Sequence, residues 1–553
     1  MSFVITQSCC NDASCIPVCP VSCIRPTPGD PDFLTSEMLY IDPKSCIDCG
    51  ACMDVCPVGA IYPEEELPES LDRYADINAA YFERHPITEG LAPAAAPISV
   101  PRGEAPWRVA IVGSGPAGTF AAAELMARVP GVEIEMFDRL PTPWGLARAG
   151  VAPDHWETKE ISEVFRRIAS RPGFAFHLNV EIGKDLSHEE LMNHHHAVIY
   201  ATGAMQDRSL GVPGDDLPGS VAAIDFVAWY NGHPDFADRT FDLTGSRAVV
   251  VGNGNVALDV ARILLTDPET LAHSDISDRA LNALRTSSIT EVVVLGRRGV
   301  AQASYTTPEL MALARVEGVE VVVEGASAVQ AEGSFAVELK QQVAAEYAAA
   351  GTAAGVTRKL VLRHMTSPIR IIGEDSVTGI ELVRNELVAD EDQQLQAVAT
   401  DDTSELATSL VIRAVGFRSA PVPGVPFDDS RSRFPHSSGC ILDDRSGDPV
   451  PGVYVTGWAK RGASGVIGTN KRCAAETVDA LVQDLLAGIL PVPSGDRAAL
   501  TQRISELPVD SVDRQGWLTI EKHERTLGAS QGRPRVKIVD RTALVAVARQ
   551  DTA

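Results

Sequence analysis

The crowding of cysteines near the amino terminus constrains the fold of this chain more than any other feature. Nine of the eleven cysteines lie between Cys9 and Cys56, and only Cys440 and Cys473 lie elsewhere. A secreted disulfide scaffold usually distributes its cysteines and follows a signal peptide, whereas the first residues, MSFVITQSCC, have neither a basic segment nor an apolar core. The crowding therefore favours metal or redox chemistry in a reducing compartment, and we expect a cytoplasmic protein.

Four of these cysteines form one closely spaced run, which ends in a Cys-Pro turn. The run is Cys46-x2-Cys49-x2-Cys52-x3-Cys56, and Pro57 follows it directly. This spacing lets three thiolates converge on one iron–sulfur cluster, while the fourth serves another cluster. A zinc site would instead need two cysteine pairs separated by a longer loop. The run therefore predicts iron–sulfur clusters.

The earlier cysteines, from Cys9 to Cys23, form a degenerate copy of this run, and the two halves together resemble a bacterial ferredoxin with seven or eight irons. The resemblance covers about residues 1–62. It implies a four-iron cluster held by Cys19, Cys46, Cys49 and Cys52. It implies a second cluster held by Cys56, Cys15 and either Cys9 or Cys10. Three thiolates favour a three-iron cluster there, whereas Cys10 as a fourth ligand would complete a four-iron one. We expect Cys23 to be a buried bystander.

Charge and linker composition set the amino-terminal segment apart from the rest. The formal net charge is −26, from 74 acidic and 48 basic residues, which argues against nucleic-acid and membrane partners. Residues 1–106 alone hold 16 acidic and only 5 basic side chains. Residues 63–106 read as an acidic and then Pro/Ala-rich linker, with one amphipathic helix predicted over residues 71–85.

After Trp107 the pattern changes to short Val- and Ile-rich runs that alternate with helical segments. Such runs are typical of parallel strands covered on both faces, and they predict a doubly wound α/β fold. The predicted strands are RVAIV, VEIEMFD, HAVIYATG, RAVVVG, EVVVLG and GVEVVV. By contrast, His194-His195-His196 is expected to form an exposed loop.

The first glycine-rich loop predicts a flavin dinucleotide site. It follows RVAIV and opens an alanine-rich helix, so that a pyrophosphate can approach the helix amino terminus. Asp138 ends the next predicted strand, 25 residues beyond Gly113, where a carboxylate accepts hydrogen bonds from ribose hydroxyls. The loop residues expected to contact FAD are Gly113, Ser114, Gly115, Pro116, Ala117 and Gly118.

Three further motifs identify a family resemblance over residues 107–553. They are PTPWGL at 141–146, GVAPDH at 150–155 and ATG at 201–203. The chain here resembles the adrenodoxin-reductase type of ferredoxin–NADP⁺ reductase, which has Rossmann-like FAD and NADP domains, the second inserted into the first. The resemblance implies an FAD domain at 107–204 and 416–553 and an NADP domain at 205–415. It places Asp138 on the adenosine ribose and, beside the flavin ring, Leu146, Trp458, Gly465, Val466 and Ile467.

The second glycine-rich loop follows RAVVVG and predicts an NADP(H) site. Arg297 and Arg298 follow the next strand, where two guanidinium groups suit a 2′-phosphate, although a solvated basic turn is the alternative. The family resemblance adds Glu309, and Gly465 near the nicotinamide. The loop residues expected at this site are Gly252, Asn253, Gly254, Asn255 and Val256.

A histidine near the flavin is the one candidate catalytic side chain. The resemblance places His155 there, beside a glutamate that many members carry one helical turn after Glu309. This chain has Ala312 at that position, which argues against a His–Glu pair. Hydride transfer needs no protein nucleophile, because the flavin carries the chemistry.

The combined pattern predicts a natural fusion of an α+β ferredoxin with a ferredoxin–NADP⁺ reductase. NADPH would reduce FAD, and single electrons would pass to the chain's own clusters, an external ferredoxin or a haem protein. The acidic segment is expected to dock near the flavin edge, where the basic residues are Lys460, Arg461, Lys471 and Arg472. Two alternatives are an electron-input subunit similar to the glutamate synthase small subunit and a redox sensor without turnover.

Overall fold

The cysteine-rich segment and the helix that follows it fold together as an α+β unit. Its short strands form two antiparallel pairs, β1 with β4 and β2 with β3. The elements are β1 (Phe3–Ile5), β2 (Ile24–Arg25), β3 (Tyr40–Ile41), α1 (Ala51–Asp54), β4 (Ile61–Pro63) and α2 (Arg73–Arg84). The computed structural model describes residues 2–87, 98–100, 106–325, 333–350 and 356–550, except the side chain of Leu34.

Helix α2 belongs to the core of this unit. Its buried face, which includes Tyr74 and Ile77, packs with the strand residues of β1 and β3 in one hydrophobic cluster. The buried amide of Asn78 accepts hydrogen bonds from the backbone N–H groups of Ile5 and Ile41. The predicted limit at residue 62 therefore falls inside this packing unit, which we call the ferredoxin unit (residues 2–87). Much of the predicted linker, 88–97 and 101–105, lies outside the described residues.

The chain after residue 106 begins with the predicted strand–glycine–helix unit. The helices lie between parallel strands, as the Val- and Ile-rich runs predict. The strands are β5 (Arg108–Val112), β6 (Glu133–Asp138), β7 (Phe174–Leu178) and β8 (Ala197–Tyr200). The helices are α3 (Pro116–Arg128), α4 (Leu146–Ala149), α5 (Trp156–Lys159), α6 (Ile161–Ala169) and α7 (His188–His194).

A second α/β unit is inserted after β8. Six of its strands form one parallel sheet in the order β10-β18-β11-β12-β14-β13, and β15, β16 and β17 form an antiparallel extension. Its strands are β9 (Gln206–Asp207), β10 (Ser220–Ala222), β11 (Arg247–Val251), β12 (Glu291–Leu295), β13 (Val319–Glu324), β14 (Arg358–Arg363), β15 (Thr366–Gly373), β16 (Val377–Ala389), β17 (Leu395–Ala407), β18 (Leu410–Arg413) and β19 (Phe417–Arg418). Its helices are α8 (Ala223–Tyr230), α9 (Asn255–Leu265), α10 (Pro268–Leu271), α11 (Asp278–Arg285), α12 (Thr307–Ala312) and α13 (Phe335–Ala350).

The chain then returns to the first sheet. The two crossing segments pair with each other as β9 and β19, and the returning strand β22 joins β8 in the order β20-β21-β22-β8-β5-β6-β7. The remaining elements are β20 (His436–Ser437), β21 (Cys440–Leu442), β22 (Pro449–Val455), α14 (Trp458–Arg461), α15 (Thr469–Leu486), α16 (Arg497–Ser505), α17 (Arg514–Ser530) and α18 (Arg541–Ala548). The predicted fold class, two Rossmann-like units with one inserted into the other, is confirmed.

The exposed loop predicted for the three consecutive histidines is wrong. His194 ends helix α7, and His195 is fully buried with Nε2 2.9 Å from Oε2 of Glu135. His196 accepts a hydrogen bond at Nδ1 from the backbone N–H of Arg108. The prediction failed because the carboxylate that binds His195 lies 60 residues away in the chain, on a neighbouring part of the sheet.

None of the helices in the described part of the chain combines the length and the apolar character that a membrane span requires.

Candidate functional site

A large cavity of about 380 Å³ lies where the two α/β units and the ferredoxin unit meet. It is bordered by the first glycine loop, by the start of α9 and by residues near Cys9. Of the residues predicted to bind nucleotides or to act near the flavin, this cavity brings together Gly113, Gly115, Pro116, Ala117, Asp138, Leu146, His155, Asn255, Val256, Glu309, Trp458, Gly465, Val466 and Ile467.

The first glycine loop is built for close backbone approach. Gly113 has φ of +107°, and a Cβ there would lie 2.3 Å from the carbonyl oxygen of Ala201 on the neighbouring chain segment. Ser114 is buried and donates hydrogen bonds to Oδ2 of Asp138 from its backbone N–H (2.9 Å) and its hydroxyl (2.5 Å). The loop thereby fixes the Asp138 carboxylate at the cavity wall, where it can accept bonds from a sugar.

Several predicted residues support the loops without lining the cavity. Ser114 holds Asp138, and Gly118 leaves only 2.1 Å between a Cβ and the Gly113 carbonyl oxygen, which keeps helix and strand in close contact. In the inserted unit Arg297 is exposed and Arg298 is half-buried at the carboxyl end of β12. The other predicted residues outside the cavity lining are Gly252, Asn253 and Gly254.

Three ionisable side chains meet at the cavity beside the start of α12. Nδ1 of His155 lies 3.8 Å from Oε1 of Glu309 and 4.0 Å from Oδ1 of Asp259. Burial raises the pKa of Asp259 to about 7; the positive charge of His155 opposes this rise, and the negative charge of Glu309 adds to it. The expectation that His155 lacks a glutamate partner is therefore wrong, because Glu309 faces the histidine although position 312 is an alanine.

Sequence reasoning missed Asp259 and Phe417. Asp259 lies one helical turn after Asn255 on α9, so that its position relative to the second glycine loop is a usable signal. Phe417 stacks on Trp458 with ring centroids 6.0 Å apart, and both line the cavity. No local sequence pattern predicts the role of Phe417, because its ring meets that of Trp458 only when the chain crosses back to the first sheet.

The distal cysteine cavity is lined by four predicted ligands from two chain segments. Cys19 joins Cys46, Cys49 and Cys52 there, as the ferredoxin resemblance implies. Cys23 also lines this cavity, with its sulfur 3.4 Å from that of Cys19. Cys49 is exposed, so this cavity lies at the surface of the ferredoxin unit.

The proximal cysteine cavity is lined by the other predicted ligands, Cys9, Cys10, Cys15 and Cys56, together with Asp12. Cys9 and Cys10 border the large cavity as well. The proximal cavity is therefore the one next to the nucleotide site.

The cysteine thiols lie in surroundings that oppose their ionisation. Burial raises the pKa of the Cys9 thiol to about 12 and that of the Cys52 thiol to about 11, so both stay protonated unless a bound metal stabilises the thiolates. In the described part of the chain no three cysteine sulfurs lie within 4.8 Å of one another. Tetrahedral zinc, with bonds of about 2.3 Å, would hold them closer than that.

The ferredoxin unit packs against the first α/β unit beside the segment 465–467, which is predicted to lie along the flavin. The backbone N–H of Gly468 donates to the Cys10 carbonyl oxygen at 2.9 Å. Nζ of Lys471 donates to the Asp12 carbonyl oxygen and to the Ser14 hydroxyl, both at 3.1 Å. The exposed acidic run Glu64–Glu66 lies at the end of β4 instead, where Glu64 accepts a hydrogen bond from Ser2.

Comparisons with known proteins agree with these two kinds of site. Residues 39–62 match the 4Fe-4S binding domain family, and residues 107–369 match the pyridine nucleotide-disulphide oxidoreductase family. A protein of Mycobacterium leprae named "Probable ferredoxin/ferredoxin--NADP reductase" is 44% identical over 99% of this chain and 98% of its own length.

The reductase part alone has relatives as well. "NADPH-ferredoxin reductase FprA" of Mycobacterium tuberculosis is 46% identical over 80% of this chain and 99% of its own length. A solved structure, "Mycobacterium tuberculosis FprA in complex with NADPH", superposes with a TM-score of 0.76 at 44% identity, over 80% of this chain and 100% of that one.

Proposed function

This chain belongs to the ferredoxin/ferredoxin–NADP reductase family, and from that premise we propose that it oxidises NADPH and delivers single electrons through its own amino-terminal unit. The observation that carries the proposal is one cavity bordered by both nucleotide sites and by Cys9 and Cys10. A bound FAD would supply the step from two-electron to one-electron chemistry. The protein would bind and orient the two nucleotides and exclude water from the cavity.

The residues around the first glycine loop fit FAD. The backbone of Gly113 and Gly115 leaves room for a pyrophosphate, and Asp138 would accept bonds from the adenosine ribose. Leu146, Trp458 and the segment 465–467 line the same cavity as Asp138 and would enclose the flavin ring.

The residues around the second glycine loop fit NADP(H). Gly252 has φ of +120°, and a Cβ there would lie 2.2 Å from the Ala414 carbonyl oxygen, so the turn tolerates only glycine. Arg297 and Arg298 would bind the 2′-phosphate from the carboxyl end of β12. His155 and Glu309 would contact the reacting end of the nucleotide, and the half-buried Asp259 lies beside them at the cavity wall.

The two cysteine cavities would each hold one cluster. The distal cavity, with Cys19, Cys46, Cys49 and Cys52, fits a four-iron cluster. The proximal cavity would hold the second cluster through Cys9, Cys15 and Cys56, with Cys10 as the candidate fourth ligand. Electron paramagnetic resonance of the oxidised protein distinguishes a three-iron from a four-iron second cluster, because the oxidised three-iron cluster gives a signal. If a Cys10→Ser variant leaves that signal unchanged, Cys10 is not a ligand.

Electrons would leave the molecule at the distal cavity. Exposed apolar side chains lie within two residues of its cysteines, and Ile47 alone retains 59% of its accessible surface. Asp48 and Asp54 are exposed beside them. This surface suits an external one-electron acceptor, a ferredoxin or a haem protein, that presents basic groups around an apolar centre.

Anaerobic titration of the reconstituted protein tests the proposed function. NADPH should bleach the flavin absorbance and reduce both clusters, whereas NADH at equal concentration should act far more slowly. A protein that holds FAD yet leaves its clusters oxidised after excess NADPH would contradict the proposal.

A further inference from the structure

Glu37 of the ferredoxin unit enters the nucleotide cavity of the reductase, and from its contacts we infer that it is a positioning residue of the NADP(H) site. Glu37 lines the large cavity together with Glu309 and His155. Its side chain retains 13% of its accessible surface. The inference rests on the proposed function and adds to it a residue from the other unit of the chain.

Both carboxylate oxygens of Glu37 are used to hold the inserted unit. Oε2 accepts a hydrogen bond of 2.6 Å from the backbone N–H of Thr307, the first residue of α12. Oε1 lies 3.0 Å from Nζ of Lys340 on α13, which is itself buried. Within the helix's own sequence the preceding residue, Thr306, makes no side-chain cap. Glu37 therefore supplies the cap of α12 from another unit, with the charge sign that a helix amino terminus favours.

The start of α12 is tied directly to the second glycine loop. The backbone N–H of Thr306 donates to Oδ1 of Asn255 at 2.8 Å, and Nδ2 of Asn255 is 3.3 Å from the Thr306 hydroxyl. Asn255 is the first residue of α9, and α12 carries Glu309 two residues after Thr307. The hydrogen bond from Thr307 to Glu37 therefore also holds the contact with Asn255 and the orientation of Glu309.

Two further ion pairs join α2 of the ferredoxin unit to α13 outside the cavity. Arg73 binds Glu346 through two nitrogen–oxygen contacts of 2.6 and 2.9 Å, and Arg84 lies 2.5 Å from Glu338. These side chains are one-third or more exposed and do not line the cavity. They provide a way to weaken docking of the ferredoxin unit without touching the nucleotide site.

Binding of NADP(H) and docking of the ferredoxin unit are therefore coupled through Glu37. The two equilibria are linked. The free energy by which Glu37 strengthens nucleotide binding equals the free energy by which bound nucleotide strengthens docking of the segment around Glu37. A reductase that holds its ferredoxin unit more firmly when NADP(H) is bound keeps the proximal cavity beside the flavin during electron transfer.

The test compares three variants of the full-length, reconstituted protein by calorimetric titration with NADP⁺. Glu37→Ala should raise the dissociation constant about fivefold to tenfold, the size of a lost helix cap. Glu37→Gln should raise it less, because its amide oxygen can still accept from Thr307. Glu346→Gln, the matched control at the same interface, should leave it unchanged. With ferricyanide as acceptor, Glu37→Ala should raise KM for NADPH and leave kcat within about twofold.

Hydrogen exchange provides a readout that does not depend on turnover. Adding NADP⁺ to the native protein should slow exchange of the backbone amides at 36–41, and Glu37→Ala should abolish this protection. An unchanged dissociation constant in both Glu37 variants, or an equal rise in Glu346→Gln, would overturn the inference. A native protein that binds no NADP⁺ would instead overturn the proposed function itself.

Discussion

The backbone N–H of Gly468 donates a hydrogen bond of 2.9 Å to the carbonyl oxygen of Cys10. Gly468 directly follows the segment 465–467 expected along the flavin ring, and Cys10 lines both the proximal cysteine cavity and the large cavity. A single hydrogen bond thus joins the proposed flavin site to the proposed acceptor. Electron transfer between the two sites would therefore not require the ferredoxin unit to move relative to the first α/β unit.

The first prediction concerns the close approach at Gly468. A Cβ at this position would lie 2.2 Å from the Asn11 carbonyl oxygen, which is backbone and cannot swing aside. Gly468→Ala should therefore push the ferredoxin unit outward and slow reduction of the clusters by NADPH at least roughly tenfold. Stopped-flow absorbance measures this rate. Gly29→Ala, whose Cβ meets only a threonine hydroxyl at 3.8 Å, is the control and should keep the native rate.

The second prediction concerns nucleotide choice. Replacing both Arg297 and Arg298 with Gln removes two charge-assisted hydrogen bonds to a 2′-phosphate. KM for NADPH should rise roughly 100-fold, while KM for NADH should change little. Steady-state oxidation of each nucleotide with ferricyanide gives both values. Arg370→Gln, on the exposed antiparallel sheet, should alter neither. Equal losses for the two nucleotides would mean that the arginines form only a solvated basic turn.

The third prediction concerns the pH dependence of stability. The Asp259 carboxyl has its pKa raised in the folded protein to about 7 from 3.8. Between these values the folded state binds the extra proton, so stability should fall as the pH rises from about 4 to about 7. Asp259→Asn stays neutral and should lack this part of the slope, although it also loses the ion pair with Arg262 at 2.5 Å and with it some stability at every pH. Thermal unfolding at several pH values measures the difference, with exposed Asp402→Asn as the control. Parallel native and variant curves would contradict the raised pKa.

The fourth prediction concerns the helix of the ferredoxin unit. Asn78→Ala would leave the buried N–H groups of Ile5 and Ile41 without their acceptor. Local opening of β1 and β3 should become easier by about 2 to 4 kcal/mol. Hydrogen exchange of these strands detects the change, and Asp76→Ala, exposed on the same helix, should not produce it. Native protection in Asn78→Ala would show that the Asn78 side chain does not stabilise these strands.

The sequence predicted those parts of the fold that depend on short, local patterns. A strand that runs into Gly113 and a helix that starts at Pro116 share one twenty-residue window, and backbone geometry requires glycine there. The ferredoxin resemblance likewise implies two groups of cysteines, and each group lines a cavity of its own. These patterns also carry the family resemblance, which fixes the order of the two α/β units.

Contacts between distant segments were not predictable in the same way. Burial opposes ionisation of Glu135, yet hydrogen bonds from His177 and His195 outweigh it and lower its pKa to about 2. Glu135 and these two partners come from three separate parts of the chain. Glu37 reaches Thr307 across 270 positions of the chain. The side chain of an isolated glutamate gives no sign of such a partner, because the partner is set by how the units dock.

Freeze-quench electron paramagnetic resonance after mixing with NADPH distinguishes electron transfer from flavin to cluster within one chain from transfer between molecules. If transfer occurs within one chain, cluster signals of the reduced state grow at a rate that does not change when the protein is diluted tenfold. A rate proportional to protein concentration would show transfer between molecules, and clusters that stay oxidised while the flavin is reduced would show no transfer at all. Either result would contradict the account.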